Sequence, residues 1–200
     1  MKNGDIVLLA GYRQHGKDTF YRHLAGHEHT YVYDVRQGTT AVEFPSATYK
    51  RVAFADTLKE GCARYLGMSL QDIEELKDSP LPSGVQYYFN GPPSDGKTFT
   101  VRDVLIDYGR RKRTENIDYF VDLVIDKIMA NTDCITVVTD FRFINEFNRL
   151  HQFFEGSERR VVTARLFRFG APFPPATEES EHQLDGFNFQ IEIRPMGMAA

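Results

Sequence analysis

The chain has 200 residues, of which 42% are hydrophobic and 26% charged, and its formal net charge is −4. That length suits one domain with a sizeable core, and the acid excess argues against a broad basic face for duplex nucleic acid. The two cysteines, Cys62 and Cys134, stand far apart without CxxC or Cys/His spacing, which points away from disulfides and zinc and toward a reducing cytosol.

No apolar run approaches the roughly 20 residues that span a bilayer. The start, "MKNGDIVLLA", meets a glycine and an acid before its short apolar stretch, so it makes a poor secretion signal. The expectation is a cytoplasmic domain with no membrane partner.

Along the chain, "DIVLLA" (5–10) is a continuous apolar run, as in a strand buried on both faces of a parallel sheet. Helical spacing follows from Lys17 to about Ala25, stopped by Gly26. Residues 30–49 match no element. "KRVAFA" (50–55) reads as a second strand and "DTLKEGCARYLG" as a helix, with Thr57 and Glu60 spaced as a capping box. A short helix is predicted over 69–78. Residues 79–97 are rich in Pro, Gly and Ser, the composition of a long loop or lid. From Thr100 helical spacing returns, with Val101, Val104, Leu105 and Tyr108 on one face, and another helix is predicted over about 117–130. "CITVVTD" (134–140), "RRVVTARLFRF" (159–169) and "FQIEIR" (189–194) complete about five strands; a helix runs through "NEFNRLHQFF" and a polar loop through "PPATEESEHQLDG". Strands alternating with helices imply an α/β fold with a mainly parallel sheet, whose ligands bind outside the carboxyl ends of the strands.

The segment leaving the first strand, "GYRQHGKDTF", satisfies the G-x-x-x-x-G-K spacing of a phosphate loop, with Gly11, Gly16 and Lys17 in place between strand and helix. In such a loop, backbone N–H groups wrap a phosphate, the helix N-terminus adds its dipole, and the lysine supplies a point charge. Residues 11–19 (Gly11, Tyr12, Arg13, Gln14, His15, Gly16, Lys17, Asp18 and Thr19) are therefore the candidate cofactor site. Asp18 replaces the usual Ser or Thr. It could hold Mg2+, orient Thr19 toward the metal, or serve only as a first-turn acid. His15 could donate to a phosphate or be an ordinary loop side chain.

A second constellation, "TDFRFINEF", leaves a buried strand. Asp140 could orient a magnesium-bound water, and Arg142 could grip an acceptor phosphate bidentately. Glu146 could orient Arg142 or touch a sugar hydroxyl. The structural alternative is a helix start with an Arg142–Glu146 pair. "DYGRRKRTENIDYF" supplies Arg110, Arg111 and Arg113, which are either solvated surface or cationic clamps. Asp56 could contact an acceptor or start its helix. Glu181 and His182, in an exposed-looking loop, are the weakest candidates.

In order along the chain, "GYRQHGKDT", "FADTLKE", "TVRDVLIDYG", "VVTDFRFINE" and "SEHQLDG" resemble the deoxynucleoside monophosphate kinases of bacteriophages and related viruses. The resemblance implies a P-loop kinase three-layer fold with a lid or insert at 79–97. It also implies phosphorylation of deoxynucleoside monophosphates by ATP with Mg2+, in a host cytoplasm and with homodimers possible. It gives catalytic or binding roles to Lys17, Asp18, Thr19, Asp140, Arg142 and Glu146, and to Arg110 and Arg111; Asp56, Lys59 and Arg113 are further candidates for binding the acceptor. The family usually has Ser where His15 stands and often Pro where Ile144 stands. "GRRKRTENIDYF" and "SEHQLDGF" also resemble animal-type phosphomevalonate kinases, an alternative within the same superfamily. A non-catalytic ATP-binding regulatory module is the alternative of another class.

Overall fold

A computed structural model of the chain describes residues 1–26, 30–34, 41–88, 98–168, 170–175, 177 and 179–194. The chain divides into two compact units, Met1–Phe54 with Val124–Ala200, and Ala55–Leu123.

The first unit is built on a sheet. Strands β1 (Ile6–Ala10), β4 (Tyr49–Val52), β5 (Ile135–Val138), β6 (Val161–Leu166) and β7 (Ile191–Arg194) are mutually parallel in the order β7-β6-β1-β5-β4. These are the five strands predicted from sequence. Two more, β2 (Thr30–Asp34) and β3 (Ala41–Phe44), extend the sheet beyond β7 as an antiparallel pair, in the segment where sequence predicts no element. The helices of this unit are α1 (Lys17–Gly26), α6 (Ile144–Phe154), the short α7 (Glu179–His182) and, from Val124 on, the end of α5 (Tyr119–Met129).

Every residue of β1 and β5 is buried, as their unbroken apolar runs require of central parallel strands. Val7 and Leu9 join Phe20 and Leu24 of α1, Ile135, Val137, Ala164 and Leu166 in one cluster. Truncating Leu9 there would cost about 3 kcal/mol. At the amino ends of the strands, the fully buried Asp5 accepts hydrogen bonds from the Lys2 amide (2.9 Å) and the Arg160 guanidinium (2.6 Å), tying the starts of β1 and β6 together. Lys17, Asp140 and Arg142 follow the opposite, carboxyl ends of β1 and β5.

The second unit is helical. It holds most of α2 (Phe54–Leu66), α3 (Leu70–Glu75), α4 (Val101–Glu115) and the start of α5 (Tyr119–Met129). Both α3 and α4 open with reciprocal capping boxes, Ser69 with Asp72 and Thr100 with Asp103. The predicted helical face of α4 is correct: Val101, Val104, Leu105 and Tyr108 are buried. The capping box predicted at Thr57 is not. Helix α2 starts at Phe54, whose amide donates to the Asp140 carboxylate (2.9 Å), so Thr57 lies inside the helix and is buried. Of the predicted lid 79–97, residues 89–97 lie outside the described residues; at its base Pro80 bridges Thr100.

Candidate functional site

The turn from β1 into α1 is shaped by two glycines. Gly11 has φ +150°, and a Cβ there would come within 2.7 Å of the Leu166 carbonyl oxygen on neighbouring β6. Gly16 has φ +87°, a left-handed geometry that costs a side chain strain. Between them the His15 amide donates to the Tyr12 carbonyl (3.2 Å), and Phe20 begins the helical ladder on Gly16. The first-turn amides of α1 have no intrahelical acceptors and face the loop, together with the positive end of the helix dipole.

Lys17 arches back over this turn. Its ammonium donates to the carbonyls of Gly11 (2.6 Å) and Tyr12 (3.0 Å). Burial lowers its pKa and Arg142 lowers it further, while Glu181, Asp140 and Asp18 oppose them.

The partners of the loop come from the far end of the chain. Glu181 accepts the Arg13 backbone N–H (2.8 Å) and ion-pairs with the Arg142 guanidinium. Its side chain is only 5% exposed. That corrects the expectation of an exposed loop: α7 and the turn after it fold onto the phosphate-loop candidate, and Leu184 is buried beneath them. Asp185 accepts from the Tyr12 hydroxyl (2.6 Å) and the Arg165 guanidinium (2.7 Å), and pairs with His182 Nδ1 (2.8 Å). Arg165 also lies over the Tyr12 ring, 4.9 Å from its centroid. Burial of Asp185 opposes its ionisation, but the hydrogen bonds from Tyr12, His182 and Arg165 prevail and hold its pKa at about 2. Gly11, Tyr12, Arg142, Arg165, Glu181 and Leu184 line a single cleft.

His15 also has a place. Its ring is buried, packs edge-on against Tyr12 (centroids 5.3 Å apart), and its Nδ1 accepts the Arg168 amide at 3.4 Å. Burial lowers its pKa, against the pull of the Pro172 and Leu166 carbonyls. It joins the loop to the segment after β6.

Asp140 and Glu146 spend their carboxylates on backbone. Asp140 receives Phe54, and the buried Glu146 receives the amides of Arg142 (2.8 Å) and Phe143 (3.0 Å) at the start of α6. Glu146 thus orients Arg142 through its main chain, while the guanidinium goes to Glu181. Asp18 is exposed and 3.4 Å from the Arg51 guanidinium, and Thr19 accepts from Arg22 at 3.4 Å. Among the described residues no three His, Cys, Asp or Glu are grouped to hold a metal.

The remaining candidates belong to the second unit. Asp107, buried on α4, receives Arg110 (2.5 Å) and the Tyr87 hydroxyl (2.9 Å); the Arg111 Nε sits 2.7 Å away as an ion pair rather than an aligned hydrogen bond. Arg111 also donates to the Tyr88 carbonyl and stacks over Tyr87 (5.3 Å). Arg113 stacks on Phe120 (5.1 Å), and Lys59 pairs with Glu74. Asp56 lies in the first turn of α2.

Sequence reasoning missed Tyr12 as a tether, Arg165 and Asp185, and it undervalued Glu181. One signal was available: Arg165 interrupts an apolar strand, and a guanidinium there demands an acidic partner. The chain matches no protein-family model and no curated protein significantly, so the site is identified by its own geometry.

Proposed function

We propose that the chain is a phosphotransferase that binds ATP on the loop at 11–19 and passes its terminal phosphoryl group to a deoxynucleoside monophosphate. The observation that carries this is the Lys17 ammonium, held across a two-glycine turn at the carboxyl end of a central parallel strand, with Arg142 lining one cleft with Gly11 and Tyr12. Parallel α/β sheets bind ligands at that end. Phosphoryl transfer asks little covalent chemistry of a protein beyond positioning and cationic stabilisation of the transferring oxygens.

In this reading the first-turn amides of α1 and Lys17 bind the donor phosphates, and Arg142 grips the acceptor phosphate. The fold is then that of a P-loop kinase. The exposed Asp18 with Thr19 would hold Mg2+, which supplies charge neutralisation of the phosphates. With no preformed group of ligands among the described residues, the fit is to a cation that keeps its waters and arrives on the nucleotide. A phosphomevalonate-type acceptor is the second reading: Glu181 and Asp185, placed at the loop, come from "SEHQLDGF", a stretch that resembles both families.

ADP release measured with ATP and a panel of deoxynucleoside monophosphates, ribonucleoside monophosphates and phosphomevalonate tests this. At least one deoxynucleoside monophosphate should raise ADP release well above the ATP-only control. Stimulation by phosphomevalonate alone would select the second reading, and no stimulation by any acceptor would defeat both.

A further inference from the structure

The loop already holds an anion of the protein's own. Glu181 accepts a loop N–H, from Arg13, and pairs with Arg142, and it helps offset the lowered pKa of Lys17. Its two bonded partners, a backbone amide and a guanidinium, are groups that a phosphate oxygen seeks, and the Lys17 ammonium lies within its electrostatic reach. The carboxylate is nearly sealed from solvent. Its segment is fastened independently one turn later, where Asp185 is tied to Tyr12 and Arg165. The Glu181 side chain can therefore swing out without releasing the turn that carries it.

We infer that Glu181 is an internal competitor for phosphate: its carboxylate occupies the loop's anion position, and a polyphosphate binds by displacing it. This rests on the phosphate-loop reading above. A tethered carboxylate competes at high effective concentration, and apparent affinity falls by the fraction of molecules in which it has swung away. Weak single anions are thereby kept out, whereas a polyphosphate that also reaches Lys17 and the α1 amides prevails. Glu181 thus sets the minimum charge of a ligand for this loop.

The test is calorimetric titration of inorganic tripolyphosphate, without metal, into the full chain and its Glu181→Gln and Glu181→Asp variants, with thermal melts confirming that each folds. Gln keeps an acceptor for Arg13 but loses the charge. Asp keeps the charge but is one methylene too short to span Arg13 and Arg142. Both should bind about tenfold more tightly than the wild type, as displacement of a competitor predicts. If only Gln gained, general charge repulsion would account for it and the proposal would fall. Unchanged or weaker binding by both would make Glu181 a support for Arg142, again overturning it. If tripolyphosphate bound none of the three proteins, the phosphate-loop reading itself would have failed, and the competitor with it.

Discussion

The carboxyl edge of the sheet and helix α4 both gather arginines around a carboxylate, but they do so differently. At the sheet edge the pairs are long-range: Arg142 with Glu181, 39 residues apart, and Tyr12 with Asp185, 173 apart. On α4, Asp107 takes Arg110 and Arg111 from its own next turn, with Tyr87 only 20 residues away. Local pairs of this kind stiffen a helix. Long-range ones close a cleft, and closing it over a lysine-bearing loop costs conformational freedom that the fold alone does not require. Cationic density by itself therefore does not mark a site. The basic run on α4 is denser in sequence, yet Arg111 and Arg113 there are engaged by neighbouring rings and carbonyls.

This contrast can be broken by substitution. Lys17→Ala should have the largest effect, cutting acceptor-dependent ADP release by on the order of 10³ while leaving the melting temperature nearly unchanged. A variant that kept its turnover would remove the loop from the account. Gly11→Ala acts on the same loop through the fold. The left-handed φ and the 2.7 Å approach to Leu166 should together cost about 3 kcal/mol, read from urea unfolding. A cost under about 0.5 kcal/mol would mean that the turn is not tightly specified.

Arg142→Ala and Arg111→Ala form the sharpest pair. The first should lower acceptor kcat/KM about a hundredfold, at a stability cost of about 1–2 kcal/mol because it leaves the buried Glu181 carboxylate with the Arg13 amide alone among its named partners. The second should destabilise by about 1–2 kcal/mol, because it loosens Asp107 and the Tyr88 carbonyl, and should change kcat/KM little. Reversed results would transfer the acceptor role to α4. The smallest effect concerns pH. Asp185 titrates at about 2 in the folded chain, below the ordinary carboxylate value of 3.8. Its contribution is present in full above that ordinary value and is lost as pH falls toward about 2. Melting temperatures between pH 5 and pH 2 should therefore drop more steeply for the wild type than for Asp185→Asn; parallel profiles would contradict the network drawn around Tyr12.

Much of the fold was legible because central parallel strands write themselves as short apolar runs. "DIVLLA" and "CITVVTD" carry that signature, and both became fully buried strands. The pair β2 and β3 did not, since "TYVYD" and "AVEF" mix charge with apolar residues and join the sheet only through pairing with β7, far away in sequence. The two-glycine turn between β1 and α1 was legible for the same local reason: its glycines and lysine sit within seven residues. Glu181 was not, because nothing in "SEHQLDG" announces that it folds onto residue 13. The start of α2 was misread because its cap, Asp140, lies 86 residues away.

The central claim is that the residues at 11–19 bind polyphosphate. It is tested most directly by following the backbone amides of the isotopically labelled chain by NMR during titration with Mg-ATP. The largest shifts should fall on Gly16, Lys17, Asp18 and Thr19, with Arg13 moving as Glu181 is displaced, and Lys17→Ala should abolish them. Saturable ATP binding that left those amides unmoved while shifting others would contradict it.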